Sequence, residues 1–382
     1  MDLEGAPRPV AVLRGHLGEP TALCFALQRC SHSPSSDAAV TLWSGAADGE
    51  LRLWRTDTQE TVARLPHAHS AGVLAVQVPR QDASLVYSQG RDGRVVLWDV
   101  HRLQTVANGP ATASSSVPSE ETVLLPQSFG FCRMLLFDDD DAAGRYLATA
   151  ADDPAGHHSV CLWDVRCRAT TPVQRLYPAG HGDATDTPTS SVMCLSLAAG
   201  RRNGLLAAGY EDSSVCIWDR RMADGKPLAH LQHVHDHEPI TSVSIGWEAS
   251  GATTAVPTVV TAGMDARLVY VQPAADSLVG WRAVAQTPLP CAGVSQVRYR
   301  PCDDRIVAAS GHDGHIRVYS ARRGHRLLAV LRHHHGAVQA LEFCPDRSLM
   351  ASGGSDRHIA LWDVYAMGAP AARDVAQYAN VG

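Results

Sequence analysis

Hydrophobic and polar positions alternate along this chain in short runs, and the runs recur. The clearest are Leu51-Arg52-Leu53-Trp54, Val95-Val96-Leu97-Trp98, Val215-Cys216-Ile217-Trp218 and Ile359-Ala360-Leu361-Trp362. Short aliphatic and β-branched runs bounded by Gly and Asp predict strands, not helices. A tight-turn signal precedes each run, and the Trp falls six residues after its Asp: Asp48 to Trp54, Asp92 to Trp98, Asp212 to Trp218 and Asp356 to Trp362. Asp313 to Tyr319 keeps the same spacing. Asp suits such a turn because its carboxylate can cap the following amides. Two copies are degenerate. An insertion separates Trp163 from Asp152 and Asp153, and Asp265 is followed by Val271 where Trp stands elsewhere. The chain therefore carries seven units.

Each unit contains more than one strand. A second strand signal lies upstream of the turn (146–150, 205–209, 259–263, 306–310, 349–353), and a third lies further upstream (73–78, 192–197, 240–245, 294–299, 338–343). A fourth follows the Trp (60–65, 172–177, 227–232, 325–331), so each unit predicts a four-stranded antiparallel sheet. Val215-Cys216-Ile217-Trp218 is apolar on both faces, so its sheet must be covered on both sides. One unit cannot do this alone, and neighbouring units must stack. The expected fold is all-β, a seven-bladed β-propeller whose radial sheets shield one another. The segment 8–16 has a strand and a Gly15-His16 ending, yet no unit precedes it. The last unit stops three strands in, after Trp362-Asp363, so the first strand is expected to complete the last blade and close the ring. The expected organisation is an N-terminal extension (1–7), a propeller (8–366) with long loops at 101–127, 178–190 and 246–257, and a C-terminal tail (367–382).

The Trp-Asp endings at 98–99, 163–164, 218–219 and 362–363, together with Gly15-His16, resemble WD repeats. In that family a His, a Ser or Thr, the turn Asp and the Trp form a buried hydrogen-bonded network. The resemblance implies His16, Ser44, Asp48 and Trp54 in unit one, His69, Ser88, Asp92 and Trp98 in unit two, and His334, Ser352, Asp356 and Trp362 in unit seven. Unit four offers Asp212 and Trp218, and units five and six, lacking the Trp, are expected to have incomplete networks or none. Longer stretches go beyond the general repeat. Phe129-Gly130-Phe131-Cys132-Arg133, residues 205–219, 237–245, 311–320 and 327–343 resemble the G-protein beta-subunit-like, or ASTRA-associated, WD-repeat family. That resemblance implies a non-enzymatic adaptor associated with the ASTRA assembly and the TTT co-chaperone, which matures the phosphatidylinositol-3-kinase-related kinases. It implies partners among TTT subunits and large kinases, links to chromatin and DNA-damage signalling, and a nuclear or cytoplasmic location. Trp-Asp-x-Arg occurs twice, ending at Arg166 and Arg221, and resembles the box by which propeller substrate receptors dock on a cullin-RING ligase adaptor. Those two arginines are the candidate partner contacts of this alternative.

Composition narrows the field further. The chain has 382 residues, 45% hydrophobic and 19% charged, with Trp (8) outnumbering Phe (5). A net charge of −6 argues against nucleic-acid or membrane-surface binding driven by overall charge. No apolar run reaches the ~18–20 residues of a membrane helix, and the opening residues do not read as a secretory signal. The ten Cys form no Cys-x-x-Cys pair, which points to a reduced intracellular compartment. Phosphate-binding, dinucleotide-binding, nucleophile-elbow and zinc-protease motifs are missing. No catalytic, cofactor-binding or metal residue is expected. His233, His235 and His237 alternate and could in principle hold a metal, but His235 or His237 fills the network position of unit five, as His334 does in unit seven. Phe129 and Phe131 alternate with small residues and read as core packing, with partner contact as the alternative.

Overall fold

A computed structural model describes residues 7–28, 39–80, 82–101, 103, 121–123, 130–138, 145–152, 158–166, 171–178, 192–200, 204–222, 224–250, 254–274, 280–322, 324–345 and 348–364. They form seven four-stranded antiparallel sheets set around an axis as the blades of a propeller. From the axis outward, blade 1 comprises Pro20–Gln28, Ala39–Ala46, Leu51–Arg55 and Thr61–Leu65. Blade 2 comprises Val73–Gln77, Leu85–Gly90, Val95–Asp99 and Glu121–Val123, and blade 3 Leu135–Asp138, Arg145–Asp152, His158–Asp164 and Gln174–Leu176. Blade 4 is Cys194–Ala199, Leu205–Tyr210, Val215–Asp219 and Ala229–Leu231, and blade 5 Ile240–Ser250, Thr254–Gly263, Arg267–Gln272 and Arg282–Pro288. Blade 6 is Val294–Tyr299, Ile306–Gly311, His315–Ser320 and Leu327–Arg332. Blade 7 takes Val338–Phe343, Leu349–Gly354 and Ile359–Asp363 from the end of the chain and Ala11–Leu13 from its beginning.

That last pairing closes the ring. Ala11, Val12 and Leu13 face Leu361, Ala360 and Ile359, and the Val10 amide donates to the Leu361 carbonyl at 2.8 Å. Leu13 is buried in a cluster that joins blade 7 (Leu361, Ala340) to blade 1 (Leu23, Leu42, Trp54). Similar apolar layers separate the other blades, and Trp43, Trp54, Trp218 and Trp362 are each less than 2% exposed. Burial of side chains of this size stabilises by ~1.5–3 kcal/mol each.

The innermost strands have only one neighbour within their own sheet, so their free backbone groups need other partners. Side chains of adjacent blades supply them. Ser242 and Ser244 of blade 5 accept the Val297 and Tyr299 amides of blade 6, both at 3.0 Å. Gln296 of blade 6 accepts the Leu341 amide of blade 7 at 2.6 Å. Gln89 of blade 2 clamps the entry to blade 3, accepting the Met134 amide at 2.6 Å and donating to the Cys132 carbonyl at 3.2 Å.

Two expected loops differ from expectation. Residues 246–257 are mostly strand: Gly246 pairs with Thr258 and Ser250 with Thr254, lengthening the inner hairpin of blade 5. The Gly, Ser, Ala and Thr there form few apolar alternations, but cross-strand backbone pairing does not require them. Within 101–127, Glu121–Val123 forms the outer strand of blade 2, opposite Val95, Val96 and Leu97. Residues 179–190 and the tail 367–382 lie outside the described residues. No helix among the described residues is long and apolar enough to cross a membrane.

Candidate functional site

Three blades carry the full buried relay. In blade 2 the Trp98 indole N–H donates to Ser88 Oγ at 2.8 Å, Ser88 lies 2.8 Å from His69 Nε2, and His69 Nδ1 is 3.1 Å from both oxygens of Asp92. Blade 7 repeats this through Trp362, Ser352, His334 and Asp356 at 2.9, 2.8 and 3.1 Å. A carboxylate only accepts, so it fixes the proton on Nδ1 and leaves Nε2 to accept from the hydroxyl. The turn carboxylate also caps its own turn, taking the Arg94 amide in blade 2 and the His358 amide in blade 7, both at 3.1 Å. Gly90 and Gly354 make room for the pair: a Cβ on either would strike the His Nδ1 and the Asp Oδ1.

Blade 1 departs from expectation at one residue. His16 lies 2.6 Å from Ser44, and Trp54 donates to Ser44 at 2.7 Å, but the acid beside His16 Nδ1 is Glu50, at 2.8 Å. Asp48 keeps only the turn-capping role, accepting the Glu50 amide at 3.2 Å. Glu50 is 2% exposed and also holds Arg52 at 2.8 Å and Arg64. Arg52 in turn donates to the Gly15 carbonyl at 2.7 Å and stacks on Trp54. The exchange arises because Glu50 has one more methylene than Asp and reaches the ring from two positions further along. Two like-charged carboxylates on one imidazole would repel, so Asp48 turns outward.

Blade 5 is more complete than its missing Trp suggests. His235, not His237, enters the network, 2.8 Å from Asp265 and 2.7 Å from Thr261, whose hydroxyl also reaches the Val269 carbonyl at 3.3 Å. A carbonyl only accepts, so it does not replace the indole donor, and blade 5 keeps the Asp–His–Thr part of the relay. In blade 4 Asp212 caps the Ser214 amide at 2.9 Å, and Trp218 donates to the Tyr177 carbonyl at 3.3 Å. In blade 6 Asp313 binds Arg317, and the His beside it is His315 of its own turn, at 3.3 Å. The hydrogen-bond order Ser–His–acid matches that of hydrolytic triads. Here, however, Ser44, Ser88 and Ser352 are fully buried and their Oγ lone pairs are engaged by Trp, so no carbonyl substrate can reach them.

The Trp-Asp-x-Arg endings sit on adjacent blades. Arg166 grips Asp164 with two nitrogens at 3.0 and 2.6 Å, and Arg221 grips Asp219 at 2.8 and 2.5 Å. Both guanidinium side chains remain about half exposed. Where the inner strands end, a cavity of about 380 Å³ opens, walled by Phe25, Phe137, Tyr299 and Phe343, with Arg298 lying 3.7 Å from Glu342. Among the described residues no group of three metal-ligating side chains comes together.

The segment 129–133 differs from the core reading. Phe129 lies outside the described residues, and Phe131 is 61% exposed, beneath the Arg91 guanidinium at 5.3 Å. Cys132 and Met134 point inward instead. Alternation was present, but with the opposite parity, and parity decides which side chains face the core. Arg133 reaches from blade 3 to the Gln339 carbonyl of blade 7 at 3.0 Å. Burial, with Arg298 and Arg91 nearby, lowers its pKa to about 9.

Two buried groups titrate with opposite effects. Burial lowers His16 to about 4, although Glu50 works against the shift. The unfolded chain therefore takes up this proton first as pH falls, and stability declines from pH ~6.5 down to ~4. Glu248 lies among Tyr299 (3.0 Å), Gln272 (3.2 Å) and His325, and burial raises it to about 7. The folded form holds this proton longer, so stability falls as pH rises from ~4.5 to ~7. Glu248→Gln is expected to melt higher than wild type above pH 7, by at most about 3 kcal/mol, and to converge with it near pH 4.5. Thermal melts of both proteins across that range check this; curves that stay parallel would remove Glu248 as the source.

The WD domain, G-beta repeat, model matches residues 173–219 and 325–363. The chain is 28% identical to guanine nucleotide-binding protein subunit beta-like protein 1 of Mus musculus, over 94% of this chain and 97% of that protein. It is 24% identical to ASTRA-associated protein 1 of Schizosaccharomyces pombe, over 94% of this chain and 99% of the relative. The ASTRA-associated protein 1 of Aspergillus flavus is 26% identical, over 92% of this chain and 87% of the relative. The chain thus carries WD repeats in a propeller frame, and its similarity to these three relatives runs over 87–99% of their length.

Proposed function

We propose that this WD-repeat propeller is a protein-interaction adaptor that works with the TTT co-chaperone in maturing phosphatidylinositol-3-kinase-related kinases, in the nucleus, the cytoplasm or both. The observation that carries the reading is end-to-end similarity to proteins named for association with ASTRA. The frame suits the role. Four relay-stitched blades hold rim loops on a stiff scaffold, so partners can bind without refolding it. Links to chromatin and DNA-damage signalling would follow from the client kinases. Gentle affinity purification of the tagged chain tests this: TTT subunits and large kinases are expected among the co-purifying proteins, and depletion of the chain is expected to lower kinase abundance. Unchanged kinase levels and no TTT subunit would reject it.

A second reading has its own observation. The paired Asp164–Arg166 and Asp219–Arg221 forks present two half-exposed guanidinium groups on neighbouring blades, as a substrate receptor docking on a cullin adaptor would. Loss of a cullin adaptor on Arg166→Ala with Arg221→Ala would favour this reading over the first.

A further inference from the structure

We propose that the rim of blades 2 and 3 around Phe131 and Arg91 is a docking site for an acidic segment of a partner protein, one that sets an apolar side chain beside its carboxylates. The proposal rests on the adaptor reading and gives it a contact surface. Phe131 is one of the chain's five Phe, and it is 61% exposed. Its exposure is built into a fixed backbone. The next residue, Cys132, is buried and its carbonyl is held by Gln89; Arg133 is tied to the Gln339 carbonyl; Met134 is buried and its amide is held by the same Gln89. A large apolar side chain presented from so constrained a loop loses little entropy on binding.

The charge beside it is unbalanced. Arg91 stacks on the Phe131 ring, and no carboxylate pairs with it among the described residues. Arg133, two residues on, is hydrogen-bonded to a carbonyl, and burial together with the charges of Arg298 and Arg91 lowers its pKa. In a chain of net charge −6, an exposed guanidinium over an exposed aromatic is a local reversal of sign. Aromatic and Arg side chains dominate binding energy at protein interfaces, because one supplies area and the other supplies directed charge. A carboxylate of the partner would pair with Arg91 while its apolar neighbour covers the open face of Phe131.

The test uses the full chain with its co-purifying partners. A photo-reactive benzoylphenylalanine placed at 131 is expected to cross-link to a partner segment rich in Asp and Glu that contains a Leu, Ile or aromatic residue. Phe131→Ala and Arg91→Glu are each expected to lower retention of that partner by at least about tenfold with unchanged melting, whereas Leu327→Ala, on the outer strand of blade 6, leaves it intact. If TTT subunits and kinases are retained equally by wild type and both variants, the docking site is wrong and the adaptor reading stands. If a different partner is captured through Phe131 by an acidic segment, the docking site stands and the adaptor reading falls. Cross-links to residues 104–129 of the chain itself, to a second copy, or to nucleic acid would overturn the site.

Discussion

Glu50→Ala should destabilise the propeller by ~3–5 kcal/mol, whereas Asp48→Ala, two residues away, should cost only ~1 kcal/mol. The difference follows from what each carboxylate touches. Removing Glu50 strips the partner from His16 and from Arg52, whose side chain is 9% exposed, and leaves a buried guanidinium without its counter-charge. Breaking a buried pair from one side carries the larger penalty. Removing Asp48 deletes one turn-capping bond at 3.2 Å from an exposed side chain, within the ~0.5–1.5 kcal/mol net range of a typical hydrogen bond. Blades 2 and 7 set the comparison, because there one Asp does both jobs. Asp92→Ala and Asp356→Ala should therefore resemble Glu50→Ala. Urea or thermal unfolding of the four variants measures the order. An Asp48→Ala protein that unfolds as readily as Asp356→Ala would mean that Asp48, not Glu50, serves the blade 1 relay. Acid adds a check. Burial works to raise the Glu50 pKa, but the hydrogen bonds from Arg52 and Arg64 outweigh it and hold it below the usual value. Its contribution is therefore present above the ordinary carboxylate pKa and is lost as pH falls through the lowered one. The gap between wild type and Glu50→Ala should narrow in acid.

The contrast between Glu50 and Asp48 also shows what the sequence could reveal. Repetition made the blades legible, because Asp to Trp at a constant spacing recurs and stacking is the only way to bury both faces of Val215-Cys216-Ile217-Trp218. The relay of blades 2 and 7 could be read residue by residue for the same reason. Blade 1 could not, since an acid displaced by two positions breaks the template while preserving the chemistry; the clue was the Glu-x-Arg pair at 50 and 52. Blade 5 was masked by Val271 in the Trp position, although His235, Thr261 and Asp265 kept their places. At Phe131 periodicity was visible but phase was not. The phase is set by Gln89, which belongs to another blade and lies more than forty residues away in sequence. Contacts of that kind have no local trace.

Leu13→Asp should be the most damaging single substitution in the first strand, at more than ~4 kcal/mol. Leu13 is 2% exposed between Ile359 and Leu361 of blade 7 and Leu23, Leu42 and Trp54 of blade 1. A carboxylate there would find an apolar cluster and no cation in it. It must either stay protonated, with a strongly raised pKa, or drag the strand out of the sheet. Both outcomes lose the layer that joins the two ends of the chain, and the second exposes the free edge of Ile359–Asp363. Because the blades share their faces in a ring, that opening leaves blade 1 uncovered as well. Lower melting should therefore be accompanied by early protease cleavage in both blades. Val10→Asp is the matched control: its side chain is 60% exposed while its amide keeps the bond to Leu361, so it should lie within about 0.5 kcal/mol of wild type. If Leu13→Asp instead melted with wild type and resisted protease equally, the first strand would not be the outer strand of the last blade, and the ring would have to close by other means.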